Sequence, residues 1–98
     1  MSDLGLVVVQ LGGLLTGVIG VYIWVIIITA LLSFVNPDPY NPVVQFLHRI
    51  TQPAYSMVRK LMRTEFNGLD LAPLVIIIGL QVVEILLNYV FVMIAKAL

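Results

Sequence analysis

Two long apolar runs enclose one patterned stretch. Leu4 to Val35 carries no charge, and Gln10 is its most polar member. Leu71 to Ala95 carries one charge, Glu84. A bilayer core needs about 20 apolar residues per helix, so each run is long enough to span it. The first exceeds a single crossing, and tilt or projection beyond the hydrocarbon accommodates the excess. The opening Met-Ser-Asp brings no positive n-region, and the apolar run after it is too long for the h-region of a cleaved signal peptide. Transmembrane helices are therefore expected over residues 4–35 and 70–95, with residues 36–68 as their connector.

The connector has a period of its own. Val43, Phe46, Leu47 and Ile50 recur at i, i+3, i+4 and i+7, while Gln45, His48 and Arg49 fall elsewhere. That is the pattern of an amphipathic helix. Asn41 supplies its N-cap, and Pro42 suits its first turn. Thr51-Gln52-Pro53 then interrupts, because a proline disfavours helix at the residue before it. A second stripe follows in Ala54, Met57, Val58 and Leu61, with Arg59, Lys60 and Arg63 off it. Asn67-Gly68 signals a turn. Asp70 is placed to cap the second span, with Pro73 tolerated in its first turn. Asn36-Pro37-Asp38-Pro39-Tyr40-Asn41-Pro42 reads as a rigid corner that turns the chain from the membrane normal into the membrane plane. The predicted fold is a single all-α membrane domain. It is a hairpin of two transmembrane helices joined by two short amphipathic interfacial helices.

Composition supports lipid as the solvent. The 98 residues are 61% hydrophobic and 10% charged, against about half and a quarter in soluble domains. So small a chain could not hide that much apolar surface in one core. Zero net charge gives no basic field for nucleic acid. The absence of cysteine removes disulfides, thiolate metal sites and thiol catalysis. Arg49, Arg59, Lys60 and Arg63 lie between the spans, against Lys96 outside them. Positive residues near span ends mark the cytoplasmic side, so the connector is expected there, with both termini opposite. Amphipathic helices with basic flanks can lie in the interface and offer Arg and Lys to anionic headgroups. The expected lipid- and partner-facing surface is Tyr40, Phe46, Leu47, Arg49, Arg59, Lys60 and Arg63. Packing on each other or on a partner's soluble surface is the alternative, and the basic polar faces favour lipid.

Within the spans, Gly13, Gly17 and Gly20 follow Gln10 at helical spacing. Gly13 and Gly17 form the small-residue pattern that lets helices approach closely, onto the second span or onto another copy. Gln81, Glu84 and Asn88 share one face of the second span. At ~1.5 Å per residue, Glu84 lies about 21 Å from Asp70 and Gly20 about 22 Å from Val35, so the two stripes can meet at matching depth. An ionised carboxylate is costly at that depth, which makes Glu84 a candidate functional acid. The simpler role is neutral interhelical glue, since no second charged residue lies mid-membrane to form a relay. His48, the one histidine, has no second ligand spaced near it and reads as an ordinary interface residue. No catalytic motif, metal cluster or phosphate loop is visible, so neither an enzyme nor a cofactor is expected.

At VNPDPYNPVVQFLHRITQP and NGLDLAPLV the chain resembles the YggT (YlmG-like) family of small integral membrane proteins of bacteria and plastids. The resemblance covers residues 30–85. It rests on the Asn-Pro-x-x-x-Asn-Pro element, Arg49, Thr51, Pro53, and Gly68-Leu69-Asp70 with Pro73. Many bacterial members carry this unit twice and this chain carries it once, which implies that a second copy in a homodimer could supply the other half, so a homo-oligomer is expected. A serine often stands where this chain has Ala72, which weakens any role for a hydroxyl there. The resemblance implies Asn36, Pro37, Asp38, Pro39, Tyr40, Asn41, Pro42, Arg49, Pro53, Gly68, Asp70 and Pro73 as a shaped cytoplasmic surface. It also implies a bacterial inner-membrane location, and roles in division or nucleoid placement, stress tolerance or membrane-complex maturation, with no enzymatic activity.

Two function classes follow. The first is a non-enzymatic scaffold or assembly factor that binds the inner leaflet and partner membrane proteins through its connector. The second is an oligomeric ion- or proton-conducting or rotor-type subunit that uses Glu84 and Gln81. The long connector argues against the second, because rotor proteolipid hairpins are joined by a tight polar loop.

Overall fold

A computed structural model describes residues 2–35, 37–63, 65–66 and 69–98. Its elements are α1 (Asp3–Val35), α2 (Pro42–Leu61), β1 (Glu65–Phe66), β2 (Leu69–Asp70) and α3 (Ala72–Ala97). The two strands pair antiparallel, with Glu65 opposite Asp70 and Phe66 opposite Leu69. The turn signal at Asn67-Gly68 lies outside the described residues, as does Asn36 of the corner motif.

α1 and α3 are the helices long and apolar enough to cross a membrane. Of their most apolar windows, only 11% and 6% is buried within the chain. A core helix of a soluble protein would be mostly covered, so these apolar surfaces need a non-aqueous surrounding. Their polar groups are handled within the helices. The Thr29 hydroxyl donates to the Val25 carbonyl at 2.8 Å, and that of Ser33 to the Thr29 carbonyl at 3.1 Å. Such back-bonds satisfy a hydroxyl without water.

By its contacts the chain divides into two compact units, Met1–Tyr22 with Gly79–Leu98, and Ile23–Ile78. In the first, α1 and α3 run antiparallel: Gly12 faces Phe91 and Gly20 faces Glu84. A Cβ on Gly12 would fall 2.8 Å from Phe91 Cγ, so this close approach requires glycine. In the second, the core is small: Ile26 and Thr29 of α1, Val44, Thr51 and Tyr55 of α2, and Ala72 and Ile76 of α3.

The connector departs from expectation in two respects. α2 is one 20-residue helix with Pro53 inside it, not two short helices broken at residues 51–53. The two apolar stripes explain this. Val43, Leu47, Ile50, Ala54, Met57 and Leu61 advance by three or four residues throughout, so they stay in register across the proline. Pro53 removes one backbone bond, to the Arg49 carbonyl. Beside it, the buried Thr51 hydroxyl donates to the Leu47 carbonyl at 2.9 Å. The second departure is the two-residue ladder, which ties the chain between α2 and α3.

The corner itself is held by local bonds. The Asp38 carboxylate accepts the Tyr40 N–H at 3.0 Å, and the Asp38 carbonyl accepts that of Asn41 at 3.1 Å. Asn41 caps α2, its side-chain oxygen accepting the Val43 N–H at 2.9 Å, with Pro42 leading the first turn. The Gln45 amide reaches back to the Pro39 carbonyl at 3.2 Å. α3 begins at Ala72 rather than at Asp70, and Asp70 stands just outside it.

Candidate functional site

α2 has three flanks. Val44, Thr51 and Tyr55, at i, i+7 and i+11, are buried against the rest of their unit. About a quarter-turn round the helix lies the apolar stripe, which its own chain covers only in part. Phe46 is 55% exposed and Leu61 77%, and Val43 and Met57 are similarly open, while Leu47 is half-buried. On the opposite flank Arg49 and Lys60 are exposed, and so is Arg63, just past the end of the helix. Tyr40, 83% exposed, sits just before the helix. The surface expected from the sequence is therefore assembled on one helix and its two flanking segments, with one member drawn away from it.

That member is Arg59. Its guanidinium pairs with the Asp70 carboxylate and lies 5.5 Å from the centre of the Tyr55 ring. The pair ties α2 to the ladder, and the ring contact is within cation–π range. Asp70 also accepts the Ala72 N–H at 3.0 Å, which serves one of the orphan donors at the start of α3.

Beside this pair is a cavity of about 400 Å³, lined by residues of one unit. Ala30 and Phe34 of α1 and Pro73 of α3 give it apolar walls, and His48, Gln52 and Arg59 of α2 give it polar ones. A second cavity, of about 360 Å³, borders His48 on the Pro37–Pro39 side. Motif reasoning did not find these hollows. Tyr55 and Arg59, four apart on one helix, and the acid at Asp70 were the available signals. Pairing them needed the tertiary path of the ladder.

In the other unit the expected Gly13–Gly17 seam is not where α1 meets α3. A Cβ at either position would meet nothing within 4 Å, whereas Gly12 is the packed glycine. Gly20 does stand opposite Glu84, whose Oε1 would lie 3.8 Å from an added Cβ. Glu84 is half-buried, Gln81 and Asn88 are exposed, and Thr16, Glu84, Ile85 and Asn88 line an open hollow of about 260 Å³. No group of three or more metal-ligating side chains is present among the described residues.

A family model described as CCB3/YggT matches residues 8–93. Among curated proteins, the chain is 35% identical over 66 residues to Uncharacterized protein PA0392 of Pseudomonas aeruginosa, which covers 67% of this chain and 33% of that protein. It is 35% identical over 69 residues to an uncharacterized protein in the proC 3'region of Vibrio alginolyticus, covering 70% of this chain and 36% of the relative. The chain thus spans about a third of the length of the curated relatives it matches. No solved structure matches it significantly.

Proposed function

The chain belongs to the CCB3/YggT family, and on that premise we propose that it is a non-enzymatic scaffold or assembly factor of the bacterial cytoplasmic membrane. Family membership and the two apolar helices point to a membrane protein. One observation carries the finer reading. α2 is anchored to its own chain through one flank and leaves Val43, Phe46, Met57 and Leu61 of its apolar stripe exposed, with exposed Arg49 and Lys60 on the far side of it. A helix so arranged can rest in the cytoplasmic interface, with the stripe in the acyl boundary and Arg49, Lys60 and Arg63 among anionic headgroups. Its water-facing side and the Pro37–Pro42 part of the corner then form a fixed surface for partner membrane proteins. The uncovered Gly13–Gly17 face of α1 suits a second copy of the chain, which makes a homo-oligomer part of this reading.

Hydrogen exchange on the full chain in lipid nanodiscs tests the proposal. The α2 amides should be protected, and more strongly in anionic than in neutral lipid. Fast exchange along α2 in both would overturn it. The competing reading, a conducting or rotor-type subunit, draws on the half-buried Glu84 beside its open hollow. Proton flux in reconstituted protein that disappears in Glu84→Gln would favour it. Unchanged oligomer and partner binding in that variant would favour the scaffold.

A further inference from the structure

We propose that the 400 Å³ cavity between the end of α1, the His48–Gln52–Arg59 side of α2 and the start of α3 holds the phosphodiester headgroup of a glycerophospholipid. The inference rests on the membrane-surface reading of α2 and gives that surface a specific lipid. The cavity has the size of a small-molecule site, which runs from about 300 to 1,000 Å³. Its position bears on its depth. Ala30, Ser33 and Phe34 stand in the last turns of one span, and Pro73 in the first turn of the other. Both spans end there, so the cavity sits at the edge of the hydrocarbon or just beyond it, among headgroups.

Its walls divide by chemistry in the same way. The span ends contribute Ala30, Phe34 and Pro73, with the Ser33 hydroxyl already bonded to the Thr29 carbonyl, while α2 contributes His48, Gln52 and Arg59 beside the Tyr55 ring. An occupant that satisfies both is an amphiphile, with its polar group toward α2 and its tail along the span ends. The polar side is rich in donors: an imidazole N–H, an amide and a guanidinium. Asp70 is the one carboxylate among the lining residues, and it is already engaged by Arg59 and by the Ala72 N–H. A guanidinium carries five N–H donors in a fork, so Arg59 can hold Asp70 through one nitrogen and a phosphate oxygen through another.

Charge separates this site from the outer face of α2. Arg59 and Asp70 cancel, so the cavity reads the phosphate rather than the net charge of the lipid. Phosphatidylethanolamine and phosphatidylglycerol should both bind, whereas adsorption through Arg49, Lys60 and Arg63 should favour anionic lipid.

The experiment is native mass spectrometry of the full chain in a phosphorus-free maltoside detergent. The probes are short-chain phosphatidylglycerol, phosphatidylethanolamine and diacylglycerol, and inorganic phosphate. Both phospholipids should bind with one equivalent per chain, at least about tenfold more tightly than diacylglycerol. Inorganic phosphate alone should bind more weakly than either. The double variant His48→Phe, Gln52→Leu removes two donors from exposed positions and should lose the preference. If it fails to fold, Gln52→Leu alone should weaken both phospholipids by about threefold. Equal binding of phospholipid and diacylglycerol would overturn the proposal, as would full binding by the variants. Phosphate binding as tightly as the lipids would overturn the lipid source and leave an anion site. The nanodisc exchange experiment scores the α2 surface separately, so either idea can fail without the other.

Discussion

Asp70 serves two elements from two oxygens. Its Oδ1 accepts the Ala72 N–H at 3.0 Å, and its Oδ2 meets Arg59. A helix-start acceptor of this kind contributes about 1 kcal/mol. The ion pair contributes less, because its side chains are 45% and 32% exposed and such pairs contribute about 0–1 kcal/mol. Asp70→Asn keeps the acceptor and loses the charge, while Asp70→Ala loses both. Unfolding in mixed detergent should therefore show a loss of about 0.5 kcal/mol for the first and about 1–2 kcal/mol for the second. Equal losses would mean that the ion pair dominates and the cap contributes little. The glycines of α1 give a second contrast. Gly12→Ala drives a methyl to 2.8 Å from Phe91 Cγ and should cost about 1–3 kcal/mol. Gly13→Ala meets nothing within 4 Å and should leave the stability of the single chain unchanged or slightly raised. The same unfolding series reads both, and similar losses at the two positions would contradict the packing register described for this pair of helices.

At the scale of elements, Pro53 is the informative residue. It lies inside a continuous α2, so its missing N–H leaves the Arg49 carbonyl without its helical donor. Pro53→Ala restores that bond and removes a ring clash. It should raise stability, by up to about 3 kcal/mol on host–guest scales, without loss of helical circular dichroism. Reduced helicity would mean that the proline shapes a bend the fold needs. The same residue shows what could be read from the sequence. Period and length sufficed for the two spans, for the amphipathic character of the connector and for Asn41 as a cap, because each is local. The break at Thr51-Gln52-Pro53 was a local rule overridden by a longer one, since the apolar stripe keeps its register through the proline. The small-residue motif marked Gly13 and Gly17, but which glycine packs depends on the rotation of α1 against Phe91, which no spacing encodes. The phospholipid cavity draws on residues from three helices and was out of reach for the same reason.

At the scale of the whole chain, orientation follows from few charges. Arg49, Arg59, Lys60 and Arg63 lie between the spans and Lys96 beyond them, so the proposed cytoplasmic placement of α2 rests on a small bias. Arg59 still contributes despite its pairing with Asp70, because acidic neighbours contribute little to the rule. The absence of native cysteine makes this testable in cells, since any introduced thiol is unique. Ser2→Cys and Ser56→Cys place single thiols on exposed positions at the N-terminal end and on α2. A membrane-impermeant maleimide should label the first in intact cells and the second only after the membrane is opened. With Arg49, Lys60 and Arg63 all changed to Gln, one basic residue remains on each side, and both thiols should label partially as the chain inserts in mixed orientation. Labelling of Ser56→Cys in intact cells carrying the otherwise unaltered chain would place α2 on the outer face. The platform would then meet a different leaflet and different partners, although the cavity beside Arg59 would still lie at headgroup depth.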